Sequence, residues 1–348
     1  MHQVIAALLA PRQPIDLPGW RSFWDGLHAG EIRRGEAVAL LTSLATCPPD
    51  VGTVEAMLAS LDERRLAPPV QYDESVNIVG TGGGPRTFNI STAAAFVGAA
   101  SGLRVIKTGA RAYSGGRGSF DLLEQLGIPL SNAYEETGET LDRFGLAFAG
   151  YFVYPPEVSL LARAIFPMRM REIGRFVNVL GPVLAAAPVT AQLTGVSDHG
   201  LLPTLRRLAV ALGKPRIWFC TNALGADELT GFADDLLYTA DGGPPVRLAD
   251  IGLAERPGTL ADLHPAPPGT DLVADFLDVL AGRRGEVATR AVCLNAAALR
   301  VALDPVTGWP EAMARAEEAI RSGAALELVG RMRDAAPLAA RPRVRRGG

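Results

Sequence analysis

Apolar residues recur at helical spacing in the first part of the chain, from about Trp20 to Leu66. The spacing is carried by FWDGLHAGEI, GEAVALLTSLAT and DVGTVEAMLASLDERR, whose apolar residues fall three or four positions apart on one helix face. Turn signals such as CPPD separate these segments, and no alternating strand pattern interrupts them. The pattern therefore predicts a group of amphipathic helices.

A different pattern begins after the Pro68–Pro69 break. A short β-branched run, SVNIVG, leads into glycines and then into the helix-like segment STAAAFVGAASG. Strand-like runs follow in LRVIKTG, RFGLAFAGYF and RIWFCTN, with helical segments such as SFDLLEQLG between them. Strands that alternate with helices are typical of a mostly parallel sheet covered by helices.

Together the two patterns predict an α/β protein with two unequal parts. We expect a small N-terminal helical domain over residues 1–72 and a larger α/β domain over 73–348, with a mostly parallel sheet and surrounding helices. The pattern of 155–178 is again helical, and we expect these helices to join the N-terminal ones.

Composition and charge argue against several classes of function. The 348 residues are 48% hydrophobic, and the formal net charge is -3 with basic residues spread along the chain, so nucleic-acid binding is not favoured. No apolar run reaches the roughly 20 residues that a spanning helix needs, and no charged n-region precedes the short apolar stretch near the N-terminus. We therefore expect a cytoplasmic protein without a membrane span.

Cysteines and histidines form no recognisable metal or hydrolase motif. The three cysteines, Cys47, Cys220 and Cys293, lie far apart without CxxC spacing, and the four histidines are isolated. This spacing favours buried, inert thiols over a zinc site or a disulfide framework.

The first segment with chemical potential is NIVGTGGGPRTFNISTAAAFVGAASG, residues 77–102. A strand leads to Gly80, Gly82 and Gly83, where absent side chains allow main-chain N–H groups to approach a phosphate closely. Ser91 and Thr92 then stand where a helix begins, and a helix N-terminus attracts anions. The alternative is a glycine turn with an ordinary serine cap, but the NIST sequence close behind the glycines favours a phosphate site.

Two further segments carry charges that suit a phosphorylated ligand. Lys107 ends a predicted strand, and Ser114 and Ser119 follow in a glycine-rich turn, where they would hold phosphate groups; the alternative is a surface lysine. The adjacent carboxylates Asp227 and Glu228 come just after another strand and would bind Mg2+ while leaving coordination positions for substrate phosphates. Alone, such a pair is usually a solvated surface, but the phosphate motif in the same chain favours a metal site.

Two arginines offer a candidate site for an acidic group. Arg171 and Arg175 lie four residues apart and would share one helix face. A clamp for a carboxylate and a solvated basic face are equally compatible with that spacing.

These motifs together resemble the anthranilate phosphoribosyltransferase family. Residues 80–92 are similar to the family's GTGGDGxxTFNIST, and residues 105–128 are similar to its KHGNRxxSSKxGSxDxLExLG. The sequence TNALGADELTG resembles its GxDE magnesium motif, and residues 168–196 resemble its RRELGxRTxFNxLGPLxNPA...QLxGV. The resemblance covers almost the whole chain.

The chain departs from the family pattern mainly on the acceptor side. Thr108 and Ala110 replace the family's histidine and asparagine, and Tyr154-Pro-Pro replaces its YHP stretch. The arginine that faces the acceptor's carboxylate in the family has only a shifted candidate, Arg175. On the phosphate side, the aspartate after GTGG is missing, and Arg117 stands one residue after the position of the family's loop lysine.

The resemblance implies a set of site residues. Substrate-binding positions would be Gly80, Thr81, Gly82, Gly83, Thr87, Asn89, Ser91, Thr92, Lys107, Ala110, Ser114, Arg117, Ser119 and Arg175. Lys107 and Arg175 would be the catalytic residues, and Ser91, Asp227 and Glu228 the Mg2+ ligands.

The resemblance also implies a reaction. Phosphoribosyl pyrophosphate would bind between the two domains, and a Mg2+-dependent transfer would move its 5-phosphoribose to anthranilate or a related aromatic acid, releasing pyrophosphate. A homodimer through the helical domain is expected. The alternatives are the same chemistry on another acceptor in specialised metabolism, a catalytically silent relative that binds nucleic acid, and a nucleoside phosphorylase; the DE pair favours the pyrophosphate donor over the last of these.

Overall fold

The computed structural model describes residues 1–10, 13–109, 118–214, 216–253, 257–267 and 269–335. Its helices are α1 (Gln3–Leu9), α2 (Leu17–His28), α3 (Arg34–Thr46), α4 (Val51–Asp62), α5 (Ile90–Ala100), α6 (Ser119–Leu126), α7 (Tyr134–Phe144), α8 (Pro156–Ala164), α9 (Met170–Ile173), α10 (Arg175–Leu184), α11 (Leu202–Ala211), α12 (Leu260–Leu263), α13 (Leu272–Leu280), α14 (Glu286–Leu303), α15 (Trp309–Arg321) and α16 (Ala324–Ala335). Its strands are β1 (Tyr72–Gly80), β2 (Arg104–Lys107), β3 (Leu146–Phe148), β4 (Val189–Gly195), β5 (Ile217–Thr221), β6 (Leu236–Thr239) and β7 (Val246–Arg247).

The N-terminal helices are capped and packed as their sequences indicate. The Asp16 side chain accepts from Gly19 N at 2.9 Å to begin α2, and the Asp50 side chain accepts from Thr53 N at 3.1 Å to begin α4. Trp20 and Trp24 of α2 are stacked with ring centroids 5.7 Å apart and are fully or almost fully buried. An aromatic centre of this kind holds the short helices together.

The helices of the predicted 155–178 segment share this hydrophobic cluster. Leu161 of α8 and Phe176 of α10 are buried in the same cluster as Trp24 and Leu40 from the N-terminal helices. Side chains from distant parts of the chain therefore form one core. The division of the chain at residue 72 into two domains stays a prediction.

The sheet confirms the predicted α/β fold. Its strand order is β3-β2-β1-β4-β5-β6-β7; the neighbours from β3 to β5 are parallel, while β5–β6 and β6–β7 are antiparallel. The chain moves outward from β1 in both directions, so the order reverses between β1 and β4. Ligands of such sheets bind beyond the carboxyl ends of the strands at this point.

Helix α14 forms the centre of the larger core. Most of its residues between Ala288 and Ala302 are buried, and they pack with α5 and with the apolar face of the sheet. Small side chains in α5, such as Ala93 and Ala94, allow the close approach of these elements. This packing fixes where α5 begins relative to the carboxyl edge of the sheet. Across the described residues, no helix combines the length and apolar character that crossing a membrane requires.

Candidate functional site

The two central strands each end in a glycine, and Asp227 packs against both glycines. Gly80 of β1 and Gly195 of β4 are register partners. A Cβ on Gly80 would lie 2.2 Å from Asp227 Oδ2, and one on Gly195 would lie 1.6 Å from the Asp227 carbonyl oxygen. Only glycine fits at these two positions, so the strand ends and Asp227 are built as one unit.

The glycine-rich turn after β1 is held by side chains from other parts of the chain. Gly82 and Gly83 have φ values of +68° and +85°, which favour glycine. Gly82 N donates to Asp227 Oδ2 at 2.8 Å, and Ser197 Oγ donates to Gly82 O at 2.6 Å. Thr81 N donates to Gly195 O at 2.9 Å. In this structure the Gly82 N–H therefore binds a carboxylate, whereas the sequence predicted that it would face a phosphate.

The next segment connects this turn to helix α5. Thr87 Oγ1 lies 3.3 Å from Glu228 Oε2, and Phe88 N donates to Leu263 O at 2.8 Å. The Asn89 carbonyl accepts from the N–H groups of Thr92 and Ala93, while its side chain makes no capping bond to α5. Ser91 and Thr92 lie in the first turn of α5, and Thr92 is fully buried. The helix start thus lies beside the glycine turn and Glu228.

Lys107 is the buried cation of the site. Only 3% of the residue is exposed, and its Nζ donates to Ile78 O at 3.0 Å, to Ser91 Oγ at 3.3 Å and to Thr108 O at 3.3 Å. Burial lowers the pKa of Lys107 to about 8, against the opposing attraction of Glu228 and Asp227. The alternative of a surface lysine is thereby removed, since the ammonium group lies at the carboxyl end of β2 beside the start of α5.

Asp227 and Glu228 form a half-buried pair of carboxylates. Burial raises the pKa of Asp227, and burial together with repulsion from Asp227 raises the pKa of Glu228 well above its usual value. Two unit charges about 4 Å apart repel by roughly 4 kcal/mol at an effective dielectric constant near 20. A divalent cation would relieve this repulsion, so the hard oxygen donors of the pair fit Mg2+.

Asp227 and Glu228 are only two of the ligands that a metal ion needs. Within the described ranges, no cluster of three or more His, Cys, Asp or Glu side chains is arranged to hold a metal. A Mg2+ ion held by two carboxylates would need further oxygen ligands, which substrate phosphates and water supply in many enzymes.

The loop that carries the carboxylates is fixed by two buried polar residues that the motifs did not reveal. Asn222 Oδ1 accepts from Leu224 N and Ala226 N at 3.1 Å each, and Asn222 Nδ2 donates to Glu228 O at 2.8 Å. The carboxylate of Asp235 accepts from Gly231 N at 2.7 Å, and burial raises its pKa to about 6. A polar residue that directly follows a strand, such as Asn222 after β5, was the signal that could have identified the first of them.

A chain of buried amides crosses the sheet behind the site. Asn77 Nδ2 donates to Gln192 Oε1 at 2.9 Å, and Asn77 Oδ1 accepts from Thr108 N at 3.0 Å. Gln192 Nε2 donates in turn to Pro182 O at 3.0 Å. These bonds connect β2, β1, β4 and α10, so the position of each strand end depends on its neighbour.

The remaining predicted residues are less closely tied to this cluster. Arg175 is the first residue of α10; its side chain is 60% exposed, and Nη2 lies 3.7 Å from Asp198 Oδ2. Ser119 begins α6 beside Gly109, where an added Cβ would lie 2.5 Å from Ser119 Oγ. Ala110, Ser114 and Arg117 lie outside the described residues. Their roles, like that of Arg175, stay predictions.

Comparison with known proteins connects this arrangement to one family. The family model described as "Glycosyl transferase family, a/b domain" matches residues 72–326. An anthranilate phosphoribosyltransferase of Thiobacillus denitrificans is 33% identical over 304 residues, covering 85% of this chain and 86% of the relative. That of Methylorubrum extorquens (strain PA1) is 32% identical over 343 residues, covering 94% of this chain and 96% of the relative.

Solved structures agree with these sequence matches. The crystal structure of anthranilate phosphoribosyltransferase from Thermus thermophilus aligns with a TM-score of 0.77 and 29% identity, covering 96% of this chain and 99% of that one. The enzyme from Saccharomyces cerevisiae in complex with phosphoribosyl pyrophosphate and Mg aligns with a TM-score of 0.75 and 21% identity, covering 95% and 96%. The second match supports the fold alone.

Proposed function

This chain belongs to the anthranilate phosphoribosyltransferase family, and from that premise we propose that it moves 5-phosphoribose from phosphoribosyl pyrophosphate to an aromatic acid, with release of pyrophosphate. The observation that carries the proposal is the meeting of Lys107, Ser91 and the Asp227–Glu228 pair beside a glycine turn at the reversal point of the sheet. Such an edge suits a ligand that is both phosphorylated and metal-bound.

The donor would be bound by groups of opposite charge on two sides. Lys107 and the start of α5 offer positive charge and N–H donors to phosphate oxygens. Asp227 and Glu228 would hold Mg2+, which, when bound, neutralises the charge that develops on the leaving pyrophosphate. We include Ser91 as a further candidate ligand because it lies in the first turn of α5, four residues after Thr87, whose Oγ1 contacts Glu228.

The reaction breaks one bond and forms one at the anomeric carbon. An amine nitrogen of the acceptor forms the new bond to C1 of the ribose, and the bond from C1 to the pyrophosphate oxygen breaks with its electron pair leaving on pyrophosphate. The nitrogen then releases one proton to water. The residues described above would hold the donor and exclude water from C1. We assign no general base among them.

Anthranilate is the acceptor we propose first, because the curated relatives carry that name and match most of this chain. The runner-up is a related aromatic acid or amine. It is favoured by Arg175, the candidate for a carboxylate contact, whose side chain is exposed and near Asp198 rather than enclosed in a pocket.

The test offers the purified chain phosphoribosyl pyrophosphate, Mg2+ and a panel of aromatic acids and amines, and measures pyrophosphate release. Release with anthranilate supports the first acceptor, and release with another compound supports the runner-up. If no compound is turned over although calorimetry detects donor binding, the proposed transfer is wrong. The predicted homodimer stays a prediction that light scattering in solution would test.

A further inference from the structure

A cavity lies at the edge of the sheet opposite to Asp227 and Glu228. It has a volume of about 620 Å³ and is lined by three connections that enter the amino ends of parallel strands. Residues 68–71 enter β1, residues 186–188 enter β4, and residues 212–214 with Arg216 enter β5. Because amino and carboxyl ends of parallel strands lie at opposite edges, this rear cavity is separate from the site around Asp227.

Three cationic side chains line the rear cavity. They are Arg65, Lys214 and Arg216, and the described residues that line it include no carboxylate. One of these cations is paired with an acid, since Asp62 Oδ1 lies 2.6 Å from Arg65 Nη2. The cations therefore outnumber the acid that faces them, and an anion would be attracted.

The amino group of Lys214 is held in place by two backbone carbonyls. Its Nζ donates to Val183 O at 2.7 Å and to Ala185 O at 2.8 Å. An ammonium group has three N–H donors, so these two bonds leave capacity for one ligand oxygen. Arg216 Nη2 donates to Leu303 O at 2.7 Å, which uses only part of its donor capacity.

The rest of the lining combines apolar residues with polar ones such as Gln71 and Thr190. Pro68, Val70, Leu212 and Ile217 contribute hydrocarbon surface, and the volume is within the range of about 300–1,000 Å³ that small-molecule pockets usually have. This combination favours an organic acid with a hydrocarbon body over a simple inorganic anion.

The rear cavity also lies between the two segments that join the N-terminal helices to the sheet. Residues 68–71 follow α4, and residues 186–188 follow α10. The Tyr134 hydroxyl lies 3.0 Å from Ala186 O and 3.4 Å from Leu66 O, so it connects the chain after α10 with the chain after α4. A ligand that contacts Arg65 and Lys214 would connect the end of α4 with the segment before β5, which Lys214 ties to Val183 O and Ala185 O.

We propose that the rear cavity binds a small organic acid whose carboxylates contact Lys214, Arg65 and Arg216 while its hydrocarbon part lies against the proline and aliphatic lining. This site is distinct from the donor and acceptor sites proposed above.

Proton uptake gives the proposal a specific signature. Desolvation, together with the charge of Arg65, lowers the pKa of Lys214 to about 7, while Asp62 acts in the opposite direction. A bound carboxylate would raise this pKa again, so binding takes up a proton near neutral pH. The affinity for the acid is therefore highest below pH 7 and falls as the pH rises above it.

The experiment is isothermal titration calorimetry of the full chain with glutarate, an aliphatic dicarboxylate, in the presence of saturating phosphoribosyl pyrophosphate and Mg2+. We expect saturable binding that is at least about 10-fold weaker in Lys214→Met and in Arg65→Gln, the loss expected for one charge-assisted hydrogen bond. Binding should be tighter at pH 6.5 than at pH 8.5. Inorganic phosphate should bind more weakly than glutarate.

Arg207→Gln is the matched control, because it removes one positive charge from α11 but does not line the rear cavity. Its glutarate affinity should equal that of the unchanged protein. Arg216→Gln, an exposed position, provides a further variant if Lys214→Met does not fold by thermal melting.

Several results would overturn the proposal. They are the absence of saturable heat, an equal loss of affinity in Arg207→Gln, tighter binding of phosphate than of glutarate, and a much higher glutarate affinity when phosphoribosyl pyrophosphate is left out, which would place the probe in the donor site.

Discussion

The donor side of the candidate site and the region around Arg175 differ in how firmly their polar groups are placed. Lys107 is almost fully buried with three acceptors, and Asp227 is in contact with two strand ends and a backbone N–H. Arg175 is mostly exposed, with one ion pair at 3.7 Å. The donor groups are held in advance by the fold, whereas the position of Arg175 depends on few contacts. We infer that the side chains proposed to bind the phosphorylated donor are preorganised by the fold, and that Arg175 is not.

The largest expected effect comes from removing one charge on the donor side. Asp227→Asn keeps an oxygen for Gly82 N–H but removes the negative charge that would hold Mg2+, so we expect kcat/KM to fall roughly 100- to 1,000-fold. Initial rates measured at several Mg2+ concentrations check this. Asp234→Asn is the control, since Asp234 is 42% exposed and paired with Arg247; its rates should not change. Unchanged rates in Asp227→Asn would remove the metal assignment.

The next effect tests the packing of the strand ends. In Gly195→Ala the new Cβ would lie 1.6 Å from the Asp227 carbonyl oxygen, a backbone atom that cannot rotate away. We expect the free energy of unfolding to fall by about 1–3 kcal/mol and activity to fall more than tenfold. Gly35→Ala, in the first turn of α3 with no atom within 4 Å, is the control; its activity should be kept and its free energy of unfolding should not fall. Full activity in Gly195→Ala would contradict the view that Asp227 is fixed by the strand ends.

A smaller effect is expected at the buried cation. Lys107→Met keeps the length of the side chain but removes the positive charge beside the start of α5. Loss of one charge-assisted interaction with a phosphate costs about 1.5–3 kcal/mol, so the KM for phosphoribosyl pyrophosphate should rise about 10- to 100-fold. Arg104→Met, on the same strand with an exposed partner in Asp142, is the control. Equal KM values in the two variants would show that Lys107 serves the fold alone.

The smallest effect is expected on the loosely held side. Arg175→Gln should change the free energy of unfolding by less than about 0.5 kcal/mol and leave the donor KM within about twofold, because exposed ion pairs contribute little. If Arg175 contacts the acceptor, only the acceptor KM will rise. A large increase in the donor KM would instead show that Arg175 also takes part in donor binding, and the distinction between the two regions would be wrong.

Much of the fold follows from local patterns in the sequence. The N-terminal helices and strands β1, β2, β3 and β5 lie where the apolar periodicity predicted them. Local patterns did not reveal α1, β4 or β6. In β4, polar Gln192 and Thr194 are buried where a strand pattern would show apolar residues, because they bond to each other and to neighbouring elements. Hydrogen bonds to residues distant in the sequence stabilise β4, and a local sequence pattern contains no information about such contacts.

The site divides in the same way. The motifs identified Lys107, Ser91, Asp227 and Glu228, and the structure places them together. Ser197, Asn222 and Asp235 were missed, because their roles depend on backbone atoms that only the folded chain brings within reach. The contacts of Asp227 with Gly80 and Gly195 likewise join positions far apart in the sequence.

The buried pair of Asn77 and Gln192 has a consequence for how the chain folds correctly. The two residues are directly opposite each other in β1 and β4, three positions before Gly80 and Gly195. If β4 slipped by one residue during folding, Asn77 would lie opposite Ala191 or Leu193, and its amide would be left buried without this partner, at a cost of about 1–3 kcal/mol. A shifted pairing of β1 and β4 is therefore less stable than the native one. The Asn77–Gln192 pair, which takes no part in the proposed chemistry, thus favours the register that places Gly80 beside Gly195.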